Sequence, residues 1–313
     1  LSGFGVAILG YGLYSRYVDK KIVKSDADRT TPATMYMDGV DFMPISKNIL
    51  FGYQFKSIAG AAPIIGPIIA IQWGWLPALL WILFGTLIIG WVQDYMSAMI
   101  VVRNEGISFG GLSYKFISAR ARIILLAFIY FYLLLLASAY GNVVVNTAIN
   151  IKSAPVSLFL LIIAGLTAGQ MIYKWRLNIL ISTLLTVSLA LFGIWLGTII
   201  NSDKIIGIQL ANNRLLWVIL TFLVCYMSSV LPIWRFALPL NYVAAYIIFI
   251  GLIFGILGVF IERPDFTLPA FSNYSIAIGP IWPILFVTIA CGAISGWHSM
   301  VSSSGTARQI ENE

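Results

Sequence analysis

Residues 57–73 read SIAGAAPIIGPIIAIQW, an apolar run that contains Gly60, Pro63, Gly66 and Pro67. Proline removes a backbone donor and clashes with the preceding helical turn, so the run predicts a membrane helix that is broken or kinked near its middle. Carbonyl groups freed at that depth are tolerated only where protein or a water-filled cavity satisfies them. The stretch therefore predicts a discontinuous membrane helix beside a cavity.

The rest of the chain has the composition of a membrane protein. Of its 313 residues, 60% are hydrophobic and 10% are charged, against about 25% charged in soluble domains. A soluble protein is excluded, and nine apolar segments predict an all-α polytopic membrane protein with about nine transmembrane helices. The segments are 2–18, 57–73, 76–101, 122–149, 155–173, 177–200, 214–232, 238–261 and 280–300.

The basic residues predict an orientation. If all nine segments cross the membrane, 15 of the 19 lysines and arginines fall in loops on one side and 4 on the other. Since basic loops stay in the cytoplasm, we expect an inner-membrane protein with Leu1 outside and Glu313 in the cytoplasm. The net charge of +7 then reflects topology, and no nucleic-acid partner is expected. The loop 19–56 is predicted to be cytoplasmic and to contain turns and short helices, with a flexible linker as the alternative.

A second interruption follows five spans later, in CYMSSVLPIW (225–234), at Ser228, Ser229 and Pro232. Two interrupted helices five spans apart enter the membrane from opposite sides, which is the arrangement of inverted five-helix repeats with a substrate site between them. We therefore predict one transmembrane domain, 1–313, that is incomplete at its C-terminus, with two helices expected after Glu313. Its parts are an extra helix 1–18, the loop 19–56, a first repeat 57–200 and a partial second repeat 214–313.

Polar residues recur at four-residue spacing in segment 122–149. Ser138, Asn142 and Asn146 share one helical face, with Asn150 at its end. The functional interpretation is the wall of a solute pathway that binds peptide-like groups. The alternative is interhelical hydrogen bonding, which Ser and Asn often provide in membranes.

Asp94 and His298 are the predicted coupling or proton-transfer residues. An ionisable residue within a span is costly and indicates function, although Asp94 could instead lie at the membrane interface. His298 is the chain's only histidine, and histidine is the side-chain type whose unperturbed pKa lies near neutrality. A packed structural histidine is the alternative. Hydroxyl groups of Ser302 and Ser303, with carbonyls freed at Ala61 and Ala62, form a candidate cation site; an ordinary polar helix end is its alternative.

Known catalytic patterns are missing from the sequence. One histidine and two distant cysteines, Cys225 and Cys291, cannot form HExxH or a Cys-rich zinc site. GxxxxGK[ST] does not occur, and a single histidine leaves a serine-hydrolase arrangement little material. We therefore predict that the protein is not an enzyme and needs no cofactor beyond Na⁺ or H⁺ as a coupling ion.

Several motifs resemble the carbon starvation protein A family. They are TPA (31–33), DGVDFMP (38–44), LFG (50–52), IAGAAPIIGP (58–67), SSVLPIWRFALPLNY (228–242) and CGAISGWHSMVSSSGTARQ (291–309). The resemblance implies an inner-membrane importer of peptides, and of small nutrients such as pyruvate, related to transporters of the leucine-transporter type. By helix order it implies substrate contacts at Gly60, Ala61, Ala62 and Pro63 and at Ser228, Ser229 and Pro232, with sodium near Ser302 and Ser303.

The chain departs from the family pattern at two places. Family members often carry a His pair where this chain has Tyr53 and Gln54, and an Arg-Asp pair where it has Leu240 and Asn241. Proton coupling through those groups is therefore in doubt here.

These observations predict a secondary active transporter that imports small peptides by alternating access, driven by a cation gradient. The alternative is a membrane receptor that binds a nutrient without moving it, and a membrane-embedded enzyme ranks third. The expected partners are small peptides and the lipid bilayer, with a small membrane subunit or a homo-oligomer left open.

Overall fold

Helices make up nearly all of the regular structure. The computed structural model describes residues 2–200, 202–265 and 267–313. Its first eight helices are α1 Ser2–Leu9, α2 Pro32–Met35, α3 Lys47–Ile58, α4 Ala62–Ala70, α5 Trp75–Phe84, α6 Trp91–Val102, α7 Phe109–Phe116 and α8 Ala119–Asn150. The next eight are α9 Ala154–Gly169, α10 Ile179–Ile199, α11 Ser202–Ile206, α12 Ile208–Ala211, α13 Arg214–Val230, α14 Ala237–Glu262, α15 Ile281–Ala293 and α16 Gly296–Ser304. Two short antiparallel strands, β1 Ser275–Ile276 and β2 Gly279–Pro280, precede α15.

Membrane-spanning runs are built from these helices, and π-helical or 3-10 turns extend several of them. In the described residues six runs are long and apolar enough to cross a membrane, and one bent pair makes a seventh. They are Trp75–Val102, Ala119–Asn150, Ala154–Lys174, Ile179–Ile199, Ala237–Glu262 and Ile281–Arg308, with Lys47–Ile58 and Ala62–Trp73 as the pair. The prediction of an all-α polytopic membrane protein is confirmed.

Two of the nine predicted spans are not among these seven. Residues 2–18 correspond to α1 and the π-helical turns Gly10–Ser15 and Val18–Val23, and residues 214–232 correspond to α13, which has 17 residues. The count of nine spans and the inverted repeat therefore stay predictions. The expected position of Leu1 lies outside the described residues.

The broken span predicted from residues 57–73 is made of α3 and α4, which are bent by 41°. The backbone leaves the helix at Ala59, whose φ is −75° and ψ is 60°. Pro63 lies in the first turn of α4, where a missing N–H costs no helical hydrogen bond, so it marks the start of a helix and not its middle. Residues 47–56, which the sequence assigns to a loop, are therefore the first half of the broken span.

A second break lies beside the first. The run Ile281–Arg308 leaves helical geometry at Ile294, whose φ is −143°, and Ser295 Oγ then caps α16 by accepting the N–H of Trp297 at 3.1 Å. Helix α15 packs against α4, and α16 packs against α3 and α6. The two broken spans are therefore antiparallel, with their breaks side by side.

Glycine permits this close approach. An added Cβ at Gly292 would lie 2.6 Å from Pro63 Cα, and one at Gly66 would lie 2.7 Å from the carbonyl oxygen of Thr288. Two backbones can come this near only where a side chain is missing.

The interruption predicted at Ser228, Ser229 and Pro232 does not face the first break. Helix α13 ends at Val230, and residues 231–236 form a turn before α14 begins. Helix α13 packs mainly against α8. The partner break lies instead at Ile294 and Ser295, within a segment that the sequence analysis treats as one continuous span. Because Ile294 and Ser295 are not helix breakers like proline, the sequence signal there is weak.

Residues 19–46 are ordered against the C-terminal segment 306–313. Thr30 pairs with Asn312 and Ile45 pairs with Ile310 in isolated β-bridges, and the Glu313 carboxylate forms ion pairs with Arg29 and Arg103. Both segments are predicted to be cytoplasmic, so their contact agrees with the predicted sidedness, which itself stays a prediction.

Candidate functional site

A cavity of about 400 Å³ lies where the two breaks meet. Small-molecule sites in proteins usually enclose about 300–1,000 Å³, so its size suits a small solute. Its walls come from both broken spans, from α8 and from α14. The lining residues are Lys56, Ser57, Ile58, Gly60, Ala61, Ala62, Tyr132, Leu136, Tyr140, Val143, Val144, Asn241, Cys291, Ser295, Trp297 and His298.

Asp94 and His298 form a pair at one side of this cavity. Asp94 Oδ2 lies 3.5 Å from His298 Nδ1, and the side chains are 19% and 4% exposed. His298 lines the cavity and Asp94 does not, so His298 is the member that a bound solute can reach. The two residues that the sequence marks separately for proton transfer are therefore neighbours.

The surroundings hold this pair in place. Gln93, next to Asp94 on α6, donates from Nε2 to the carbonyl oxygen of Ser295 at 3.1 Å and to Ser299 Oγ at 2.7 Å. These bonds join α6 to the first turn of α16, which carries His298. Among the described residues, Asp94 Oδ1 is buried without a hydrogen-bond partner. An unpaired buried carboxylate oxygen is costly, which marks Asp94 as a candidate functional residue.

The predicted substrate residues of the first break lie at the cavity. Gly60, Ala61 and Ala62 line it, and Pro63 lies beside it against Gly292. Trp297 Nε1 donates to the carbonyl oxygen of Ser57 at 3.1 Å and so fixes α16 to the end of α3.

The polar stripe of α8 lies elsewhere. Ser138 and Asn142 line a separate hollow between α8 and α13, where Arg214 donates to Asn142 Oδ1 at 2.6 Å and to Asn146 Oδ1 at 3.4 Å. Such contacts are expected if the polar stripe serves interhelical hydrogen bonding, the alternative to a solute pathway. The neighbouring α8 face, which carries Tyr132 and Tyr140, is the one that lines the cavity at the breaks.

The predicted residues of the second interruption are also apart from the cavity. Ser228, Ser229 and Pro232 do not line it, and Ser229 Oγ donates to the carbonyl oxygen of Tyr226 at 2.8 Å.

The structure does not bring the two halves of the predicted cation site together. Ser302 and Ser303 are buried, but Ser302 Oγ accepts from Gln54 Nε2 at 2.7 Å and Ser303 Oγ donates to the carbonyl oxygen of Met300 at 3.1 Å. Gln54 precedes Ala61 by about two helical turns. Ala61 and Ala62 instead lie beside Ser295 and His298.

Sequence reasoning missed several wall residues. Lys56 is counted in the sequence among the basic loop residues, although it lies in α3 and lines the cavity. Without Lys56 and Lys47, which begins the same helix, 13 basic residues remain on one side against 4 on the other, so the charge asymmetry remains. Asn241, one of the departures from the family pattern, also lines the cavity. The four-residue spacing of Tyr132, Leu136 and Tyr140 is a signal that could have identified the α8 wall.

Known proteins match the chain along its length. A sequence model of the family described as Carbon starvation protein CstA matches residues 1–313. Two relatives from Escherichia coli strain K12 are each 30% identical to this chain. The match to the Peptide transporter CstA covers 98% of this chain, and the match to the Pyruvate/proton symporter BtsT covers 100% of it. Each match covers 45% of the relative's own length. The Peptide transporter CstA of Bacillus subtilis strain 168 is 28% identical over 97% of this chain and 52% of its own.

No solved structure matches the chain. The chain spans about half the length of the curated relatives it matches. Because the family match extends from the first residue to the last, the chain belongs to the carbon starvation protein CstA family.

Proposed function

We propose that the protein is a secondary active transporter that imports small peptides, or pyruvate, across the cytoplasmic membrane. The names of the relatives support this class of activity. The cavity between two antiparallel broken spans supports a solute site, since transporters bind solutes near the bilayer midplane at discontinuous helices. Within it, Gly60, Ala61, Ala62 and Pro63 are the proposed contacts at the first break.

The proposed mechanism is alternating access. Nine spans in inverted repeats, with Glu313 on the cytoplasmic side, provide the framework. The side-by-side contact of two broken spans supports it, because alternating access in such folds is largely movement of one group of helices against another around the site.

Proton coupling at Asp94 and His298 is the proposed driving step. The observation that carries it is the 3.5 Å approach of the half-buried Asp94 side chain to the buried His298 side chain at the edge of the cavity. A proton taken up from outside would reside on this pair while the solute is bound, and inward opening would release both. His298 supplies an imidazole ring, the side-chain group whose ordinary pKa lies nearest neutrality, and an ionised Asp94 would stabilise the protonated ring.

Sodium coupling through Ala61, Ala62, Ser302 and Ser303 is the competing proposal. The Gln54 amide donates to Ser302 Oγ and so occupies an oxygen that would otherwise coordinate a cation. The proton is therefore the favoured coupling ion.

Uptake into proteoliposomes tests this function. Labelled dialanine and labelled pyruvate are offered separately under an inward proton gradient and under an inward sodium gradient. We expect accumulation of at least one solute with the proton gradient and none with sodium alone. Binding without uptake would contradict the transporter and support the receptor, and uptake driven by sodium alone would contradict proton coupling.

A further inference from the structure

Lys56 is the one Lys or Arg among the residues that line the cavity. It lies in the last turn of α3, directly before the first break, and its side chain is half-buried. No Asp or Glu lines the cavity, and Asp94, behind His298, pairs with that histidine. In the part of the chain that the structure describes, Lys56 forms no ion pair with a carboxylate.

The position of Lys56 at the end of α3 offsets only a small part of the cost of its charge. The last carbonyl groups of α3 face the break, and a cation in the final turn of a helix is stabilised by those carbonyls and by the helix dipole. This stabilisation is small, about 0.3–1 kcal/mol, and far below the cost of a cation within a membrane. A cavity with one cation and no anion is thus complementary to an anionic ligand.

The other walls limit the kind of anion. Ile58, Leu136, Val143 and Val144 give an apolar surface, while Asn241 supplies an amide donor and Tyr132 and Tyr140 supply hydroxyl groups. A compact molecule with one carboxylate and a small apolar body fits this combination. A multiply charged phosphate compound does not, because a single lysine cannot balance it.

We propose that Lys56 binds the carboxylate group of the transported solute, so that the cavity selects small carboxylate-bearing molecules. The inference rests on the proposed function in taking this cavity as the solute site. A peptide C-terminus and a 2-oxo acid share the carboxylate, and the test below separates them.

The test is equilibrium binding to the purified protein with two matched pairs of probes: dialanine with dialanine amide, and pyruvate with pyruvamide. We expect at least one acid to bind about tenfold or more tightly than its amide, as charge pairs in desolvated sites do. In Lys56→Gln the acid should bind as weakly as the amide, and Lys56→Arg should keep most of the preference. The pair that shows the preference identifies the source of the carboxylate.

The matched control is Lys174→Gln, which removes a lysine outside the cavity and should leave both pairs unchanged. An acid preference that persists in Lys56→Gln would overturn the proposal. Equal binding of acid and amide to the unsubstituted protein would also overturn it, and so would a failure of all four probes to bind. Neither of these two results depends on the folding of a variant. Acid-selective binding without uptake would contradict the proposed transport and leave the role of Lys56 intact.

Discussion

Single residues at the breaks determine what the cavity can do chemically. His298 contacts the cavity, Asp94 lies behind it, and Gln93 fixes the backbone and side chains around both. The bonds of Gln93 join α6, which carries Asp94, to the start of α16, which carries His298. If the pair couples transport to protons as proposed, a change in its protonation would act on the packing of these two helices.

Asp38 gives a residue-scale prediction about pH. Backbone N–H groups of Phe42, Val40 and Asp41 donate to Asp38 Oδ1 at 2.7–3.0 Å. These bonds, that of Phe42 first, lower the pKa of Asp38 below its ordinary value of 3.8. A lowered pKa means that the charged form stabilises the turn above pH 3.8 and that this contribution is lost as the pH falls through the folded-state pKa.

We expect faster proteolysis of the loop 19–46 at acid pH, measured with an acid-active protease at low pH and with a neutral protease at pH 7. Asp38→Ala should raise cleavage about fivefold at neutral pH, because it removes the acceptor of three bonds. Asp38→Asn keeps an acceptor oxygen and should remove most of the pH dependence. A loop whose cleavage is the same in all three proteins would contradict the role given to Asp38.

At the scale of helices, contact between the two broken spans depends on glycine. Gly292→Ala would place a methyl group against the backbone of Pro63, which cannot move aside as a flexible side chain can. We expect a loss of about 1–3 kcal/mol of stability, measured by thermal unfolding in detergent. Gly251→Ala is the matched control, because an added Cβ there meets nothing within 4 Å; it should be neutral or stabilising. Equal effects would contradict the packing described.

The contact between α8 and α13 gives a second prediction at this scale. Asn142→Ala removes the acceptor of the Arg214 bond and should lower stability by about 0.5–2 kcal/mol, with solute affinity changed less than twofold. Arg214→Gln should behave similarly. A large loss of affinity with unchanged stability would restore the solute-pathway interpretation of the stripe.

The helices themselves were predictable, but which breaks face each other was not. Apolar runs of about 20 residues identify spans regardless of tertiary structure, and Pro63 and Gly60 mark a break by local sterics. The break at Ile294 and Ser295 contains no proline, and it is stabilised by contacts of Gly292 and Trp297 with a distant part of the chain. The approach of Asp94 to His298 likewise arises from packing of α6 on α16, which no local pattern specifies.

At the scale of the whole molecule, the two antiparallel broken spans lie between two different surroundings. On the side of α3 and α16, buried residues of α9 and α14 form the largest core, in which Ala164 and Ala168 allow close helix packing. On the same side, segments 19–46 and 306–313 contact each other. The α4 and α15 side has a smaller core around Trp73. Such unequal packing favours movement of one half against the other.

The measurement that tests the central claim most directly compares solute counterflow with pH-driven accumulation in proteoliposomes, for the unsubstituted protein and for Asp94→Asn and His298→Gln. Counterflow needs solute binding and solute movement but no net proton transfer. Accumulation driven by pH needs solute binding, solute movement and net proton transfer. We predict that each variant keeps counterflow, and that its pH-driven accumulation falls about tenfold or more. The control Asp203→Asn, which removes the ion pair with Lys152, should keep both counterflow and accumulation. Accumulation that survives in the two variants would contradict proton coupling at this pair.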